Sequence, residues 1–419
     1  LEGITCRGDN LPVLLVVVDG LSDRPVNGKT PLSVANKPNL DRLAEIGING
    51  IMDTIAPGIR PGSDTSHLAL LGYDPYKYYS GRGPIEAAGV GIEVKPGDIA
   101  FRINFATVEG EGSIFDKVVV DRRAGRIENT EEFIEAIKDK VRLPVEFLIE
   151  KGTGHRAAIV FREEGLSEKV SDTDPKAVGK KVKKCTALSE EEGAKRLAEI
   201  VNEFMQKAHE VLDEHPLNKE RSDKGLLKAN ALLLRGAGKM PHVPSFEEKF
   251  GLKLCVIAAT ALIKGVGRIV GADVITPEGA TGNKNTDLEA KFRAAKNALK
   301  SHDVVLLHIK APDELGHDGD FEGKRKFIER LDEKISTLFD LSFSETCLIV
   351  TADHSTPVKV KDHTADPVPV IIVHEDVRRD EVRSFSEFEA YKGGLCRIRG
   401  MDLLNISFDL LNFAKKFGA

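Results

Sequence analysis

The chain of 419 residues is 41% hydrophobic and 30% charged, enough apolar sequence for a large core and more than one domain, and too much for a disordered chain. Its net charge of −6 is small for that length and argues against a dedicated nucleic-acid binder. The longest apolar run, Leu11 to Val18, is far too short to cross a bilayer, so no membrane association is expected.

That run is continuously apolar and rich in valine, as a strand buried on both faces of a parallel sheet should be. It follows only ten residues and lacks a basic flank and a small-residue cleavage site, so no signal peptide is expected and the expected location is cytoplasmic. Five cysteines (Cys6, Cys185, Cys255, Cys347, Cys396) are scattered without a C-x-x-C pair, which fits inert thiols in a reducing compartment better than a zinc finger or a disulfide framework. A single glutamine, Gln206, no tryptophan and abundant Lys and Glu lean toward a thermophilic source.

Asp19-Gly20 closes the first strand, and a helix is expected over Asn39 to Ile46, with Pro38 at its start and Gly47 at its end. Next comes Pro61-Gly62-Ser63-Asp64-Thr65-Ser66-His67, followed by Leu68-Ala69-Leu70-Leu71, which reads as a loop opening a helix. There the Ser63 hydroxyl would lie beside unpaired N–H groups and the positive end of the helix dipole, a setting that favours an alkoxide or phosphoserine. The competing reading makes Ser63 a simple N-cap. Gly72-Tyr73-Asp74-Pro75 and Ser80-Gly81-Arg82-Gly83-Pro84 follow as turns.

Near Gly97 the character changes. Ile99 to Val108, Val145 to Ile149 and His155 to Arg162 read as partly alternating strands. Strongly charged helices lie between and after them, one from Thr130 and one from the capping box Ser189-x-x-Glu192 to about Glu214. After Gly236 buried-strand patterns return at Leu254 to Ala258, Val304 to Ile309, Cys347 to Thr351 and Val368 to Val373. Helices between them are expected from the capping box Thr286-x-x-Glu289 to about Lys300, and from about Gly323 to Phe339. The expected fold is α/β, a doubly wound core formed by residues 1–96 and 236–419, with a smaller α+β domain inserted at 97–235. Gly265-Val266-Gly267-Arg268-Ile269-Val270-Gly271 fails as a dinucleotide fingerprint, because its last glycine is one place late and it follows a helix. Gly319 to Lys324 is one residue short of a P-loop.

In an open α/β sheet, ligands bind beyond the carboxyl ends of the strands. Asp19, Asp313 with His317, and Asp353 with His354 each follow a predicted strand, and His363 leads into the next. Asp and His together suit borderline divalent metals such as Zn²⁺ or Mn²⁺. A single metal needs about three or four protein ligands. Asp19, Ser63, Asp313, His317, Asp353, His354 and His363 therefore fit two ions about 3.5–4 Å apart, the arrangement used for phosphoryl transfer. A deprotonated Ser63 would supply the negative charge that three aspartates leave wanting. Each element has a bland alternative (a surface Asp-His pair, a helix cap, an ordinary Asp-Gly turn), but their joint occurrence at strand ends is hard to obtain by chance.

Together, Asp19-Gly20, Gly62-Ser63-Asp64 with His67, Pro312-Asp313-x-x-Gly316-His317, Thr351-Ala352-Asp353-His354 and His363-Thr364-x-x-Pro367-Val368-Pro369 resemble the alkaline phosphatase superfamily. More closely the chain resembles the archaeal type of cofactor-independent phosphoglycerate mutase, through nearly its whole length, including Gly152-Thr153-Gly154-His155-Arg156 and Ser171-Asp172-Thr173-Asp174-Pro175. The resemblance implies that Asp313, His317 and His363 hold one metal, and that Asp19, Ser63, Asp353 and His354 hold the other, with Mn²⁺ expected ahead of Zn²⁺, Co²⁺ or Mg²⁺. It implies an isomerase interconverting 3-phosphoglycerate and 2-phosphoglycerate, with Ser63 carrying the phosphoryl group and no bisphosphoglycerate required. The inserted domain departs from the bacterial enzymes of this type. His155 and Asp172 are its candidates for acid–base work, and Arg156 and Asp174 for substrate binding; Arg82, Arg235 and Lys264 are further candidates for phosphate or carboxylate. The inserted domain would close over the glycerate and exclude water. A metal-dependent phosphatase or another phosphomutase would share the same core. An idle metal-binding protein would lack a ligand or the nucleophile, and none is missing.

Overall fold

The structure, a computed structural model, describes residues 12–414, 416 and 418, so Cys6 and Leu11 lie outside the described residues. Residue contacts divide the chain into two compact units, one formed by the chain up to Tyr78 and from Pro244 onward, the other by Tyr79–Val243. In chain order the strands are β1 (Val13–Val18), β2 (Ile48–Asp53), β3 (Ile99–Glu109), β4 (Val118–Asp121), β5 (Glu146–Lys151), β6 (Arg156–Arg162), β7 (Ala231–Lys239), β8 (Leu254–Ile257), β9 (Asp273–Ile275), β10 (Val304–Ile309), β11 (Cys347–Thr351), β12 (Val368–Val373) and β13 (Cys396–Arg399).

The first unit is built on an eight-stranded sheet in the order β13-β2-β12-β11-β1-β10-β8-β9. β1 lies inside it, paired in parallel with β10 and β11, and all of Val13–Val18 is buried, which is why its sequence is apolar without alternation. β8 and β9 extend the parallel series beyond β10. β12 breaks it, since it pairs antiparallel with both β11 and β2. A reversed strand begins where its parallel neighbours end. Residues just ahead of β12 therefore share a sheet edge with residues just after β1, β10 and β11.

Helix Pro38–Ile46 has Pro38 in its first turn and Gly47 as its C-cap. Helix Ser63–Leu70 is capped by Gly62, so Ser63 is the first helical residue and not the N-cap. Two expected capping boxes are not formed. The helix expected from Ser189 starts at Glu192 instead, with Glu191 at its N-cap, and the Glu192 carboxylate accepts from Lys195 Nζ at 3.0 Å. Asp287 displaces Thr286 as the cap of helix Leu288–Ala298: its carboxylate accepts from the Ala290 N–H at 2.9 Å, while the Thr286 hydroxyl accepts from the Thr281 N–H. Asp adds charge at the positive helix end, which Thr cannot. The helix expected from about Gly323 spans Phe321–Ile335 and tightens into a 3₁₀ turn at Ser336–Asp340. No helix among the described residues is long and apolar enough to cross a membrane.

The second unit is an antiparallel sheet, β4-β3-β6-β5 with β7 on the other side of β3. Its core gathers Phe105, Phe133, Phe161 and Phe204 from the sheet and from helices Glu131–Lys140 and Glu192–Asp213. It begins ahead of the Gly97 boundary expected from composition because helix Arg82–Gly89 packs on β3 and β7. Burial holds the thiols of Cys185, Cys255 and Cys347 up at about 12, where they are unreactive, whereas Cys396 is exposed.

Candidate active site

The carboxyl ends of β1, β10 and β11 and the approach to β12 bring six side chains of the first unit together. Asp19 follows β1. Gly20 turns the chain away at φ +65°, and a Cβ there would lie 2.6 Å from the Asp313 Cα, so only glycine lets these two segments approach. Helix Ala311–Asp318 follows β10 directly and places Asp313 and His317 one turn apart on one face. Asp353 and His354 follow β11, and His363 precedes β12.

These groups form two clusters. Asp19, Asp353 and His354 each offer one ligand atom, all within 4.8 Å of one another, and so do Asp313, His317 and His363. Ser63 joins the first cluster through its Oγ, 3.1 Å from His354 Nε2. The His354 and His363 rings stack with centroids 3.6 Å apart.

The imidazole tautomers follow from their fixed partners. His317 Nδ1–H donates to the Lys361 carbonyl and His363 Nδ1–H to the Pro61 carbonyl, each at 2.9 Å. The Thr356 hydroxyl gives its only proton to Asp313 Oδ1 at 2.6 Å, so at 3.1 Å it must accept from His354 Nδ1–H. All three Nε2 atoms are left pointing at the clusters. His363 Nε2 and His317 Nε2 lie 3.3 and 3.4 Å from Asp313 Oδ1, and His354 Nε2 lies 3.3 Å from both Asp19 Oδ1 and Asp353 Oδ2.

Burial makes this costly without a cation. Asp353 Oδ1 accepts from the Gly20 N–H, while the buried Oδ2 has no hydrogen-bond donor among the described residues. Burial, reinforced by Asp353, pushes the Asp19 carboxyl up to about 6. Burial also lowers the His354 pKa, which favours a neutral ring whose Nε2 lone pair faces two carboxylates. Burial opposes His363 protonation too, but Asp313 outweighs it and raises that pKa. Lone pairs and carboxylate oxygens converging in a buried place, each nitrogen oriented by a second partner, are the donor set a divalent cation requires. The residues fit such ions in both clusters.

Sequence reasoning missed three neighbours. His308 on β10 donates from Nε2 to Asp19 Oδ2 at 2.8 Å. Lys310 reaches both oxygens of Asp19 at 3.2 Å and also bonds Asp313. Thr356 links Asp313 to His354 as above. A lysine at the end of a buried strand, immediately before Ala311-Pro312-Asp313, was the one available signal.

Of the remaining candidates, Lys264 lies in the first unit on helix Ala261–Ile269, which packs against the Ser63 helix. The others lie in the second unit. Asp174 is buried, and Arg122 grips both its oxygens at 3.1 and 2.7 Å, a partner that sequence spacing did not reveal. Arg235 on β7 stands 4.0 Å from Asp174 and its buried Nε has no acceptor among the described residues. Asp172 accepts from the Gly236 N–H and pairs with Lys176. Arg82 pairs with Glu86, and Arg156 is exposed at the start of β6. Burial, then the charges of Arg156, Arg123 and Arg235, push the His155 pKa down, leaving a neutral imidazole that can accept a proton.

Comparison with known proteins bears on this arrangement. The sequence model of the Metalloenzyme superfamily matches residues 11–410. Over 409 residues the chain is 83% identical to the 2,3-bisphosphoglycerate-independent phosphoglycerate mutase 1 of Archaeoglobus fulgidus, covering 98% of this chain and 100% of that protein. The corresponding enzyme of Methanothermobacter thermautotrophicus is 51% identical over 414 residues, with 97% and 99% covered. Among solved structures, the cofactor-independent phosphoglycerate mutase from Thermoplasma acidophilum superposes with a TM-score of 0.73 at 37% identity, over 95% of this chain and 99% of that one.

Proposed function

The chain belongs to the Metalloenzyme superfamily and, within it, to the 2,3-bisphosphoglycerate-independent phosphoglycerate mutases, and on that footing we propose that it interconverts 3-phosphoglycerate and 2-phosphoglycerate through a phosphorylated Ser63. The observation that carries the serine is its place: first residue of a helix, Oγ 3.1 Å from the lone-pair nitrogen of His354, beside buried Asp19 and Asp353.

Two divalent cations, Mn²⁺ by preference, would be held by Asp313, His317 and His363 and by Asp19, Ser63, Asp353 and His354; bound there they supply Lewis acidity that favours the serine alkoxide and neutralises phosphoryl oxygens. Ser63 Oγ attacks phosphorus in line, the bond to the glycerate oxygen breaks, and that oxygen takes a proton from a general acid. The glycerate turns, its other hydroxyl gives a proton to a general base, and its oxygen attacks the phosphoserine and releases Ser63. The helix end favours the anionic serine throughout. His155 and Asp172 are the acid–base candidates. Arg82, Arg156, Arg235 and Lys264 bind the phosphate and carboxylate of the substrate, and Asp174 serves by orienting Arg122 and Arg235. On this reading the second unit is the substrate-binding domain, and the enzyme is cytoplasmic.

The test supplies a mixture of isotopically labelled and unlabelled 3-phosphoglycerate with no bisphosphoglycerate. The glycerate never leaves, so each phosphoryl group stays on the carbon skeleton that brought it, and 2-phosphoglycerate appears without exchange of label. Free phosphate as the main product would point to a hydrolase and overturn the reading.

A further inference from the structure

Two side chains outside both ligand clusters tie the clusters to each other. Lys310 Nζ bonds Asp19 of the first cluster and Asp313 of the second. On Asp313 it takes Oδ2, the oxygen turned away from His317 and His363, so the contact leaves Oδ1 to the cluster. The Thr356 hydroxyl likewise joins Asp313 to His354, one member of each cluster.

The threonine bridge is stiff. Thr356 is fully buried, its N–H donates to the Ser22 carbonyl, and its own carbonyl accepts from the buried Lys324, which also holds Asp23. Its surroundings leave no slack: a Cβ at Gly316 would lie 2.3 Å from the Thr356 carbonyl oxygen, and one at Gly20 would lie 2.7 Å from its hydroxyl. A β-branched side chain locked in this way has essentially one rotamer.

Building on the two-cation reading above, we propose that Lys310 and Thr356 are positioning residues that set the separation of the two divalent ions, so that the ions act as one coupled pair. Either cluster can hold an ion by itself. The bridges decide whether a second ion arrives at a defined distance from the first, which in-line transfer between two oxygens requires.

The probe is Mn²⁺ alone, titrated into the metal-stripped chain and followed by calorimetry and electron paramagnetic resonance. The parent takes up two ions, and the spectrum of isolated Mn²⁺ gives way to that of an exchange-coupled pair. Thr356→Val removes the hydroxyl and keeps the shape; Lys310→Met removes the charge and keeps the length. In both variants bound Mn²⁺ is expected to lose the coupled spectrum and show isolated ions, and Thr356→Ser is expected to restore the coupling. A coupled-pair spectrum retained in both Thr356→Val and Lys310→Met would overturn the inference. If circular dichroism shows that Thr356→Val does not fold, Lys310→Met decides alone. A parent chain that binds a single Mn²⁺ would instead overturn the two-cation reading itself.

Discussion

Charged residues are buried in both units, but on opposite terms. In the second unit the buried carboxylates have arginine partners: Arg122 closes on Asp174 and Arg162 on Asp98. At the sheet edge of the first unit, three carboxylates and three imidazole Nε2 atoms face inward, and among the described residues Lys310 is the one ammonium bonded to these carboxylates. The paired groups stabilise the fold as they stand. The converging ones outnumber their donors, and Asp353 Oδ2 has none among the described residues, so their burial reads as capacity for a cation and not as architecture.

The sharpest way to break that contrast is at Ser63. Ser63→Ala is expected to lower turnover of 3-phosphoglycerate by several orders of magnitude, because loss of the nucleophile removes a whole pathway. Its bound metal, measured by mass spectrometry, should be largely retained, since the aspartate and histidine ligands remain. Near-parent turnover would refute the assignment of Ser63.

A smaller effect is expected from the acceptor that lacks a donor. Asp353→Asn should weaken metal binding and with it the thermal stabilisation that added Mn²⁺ gives, which for the parent is about 2.7 kcal/mol per site at a metal concentration of about 100 Kd. Without metal the variant should melt no lower than the parent, because one buried charge has been removed from a crowded carboxylate set. A metal-free variant that melts well below the parent would show that Asp353 is structural.

The smallest effect belongs to the self-satisfied unit. Arg122→Met leaves Asp174 buried without its main partner, and should cost about 2 kcal/mol once the partial exposure of Arg122 is allowed for. Burial raises the Asp174 pKa, but the Arg122 hydrogen bonds and the Lys176 N–H outweigh it and hold the carboxyl below its ordinary range. A folded pKa below the unfolded value of about 3.9 contributes stability that is present above that value and lost as pH falls through the folded one. The melting difference between parent and Arg122→Met should therefore be full at pH 7 and shrink on acidification below about pH 4. A gap that widens on acidification would mean that the arginine acts through something other than Asp174.

The parallel strands were legible because burial on both faces demands unbroken apolar runs, as in Val13–Val18 and Val304–Ile309. The convergence of Asp19, Asp313 and Asp353 was legible by position, since each follows a strand of that series. β2 was not, since Asn49 and Gly50 interrupt its pattern although it too is largely buried. Nor was the direction of β12, because an apolar run carries no sign of which way it runs. Caps failed where a neighbour competed, as Asp287 did with Thr286 and as Lys195 did for the Glu192 carboxylate. Arg122 and Thr356 act through partners brought near only by folding, and their residue types announce nothing alone.

The reversal of β12 has a further consequence. The connection from β11 to β12 leaves and re-enters the sheet at the same edge, so it carries Asp353 and His354 at its start and His363 near its end. One short length of chain thus supplies both clusters. An ion bound at either cluster also fastens that loop to β1 or to the helix after β10, and local opening of this single hairpin would strip ligands from both clusters at once. On the two-cation reading, metal retention is tied to the lifetime of one hairpin in the sheet, and the two clusters should empty together.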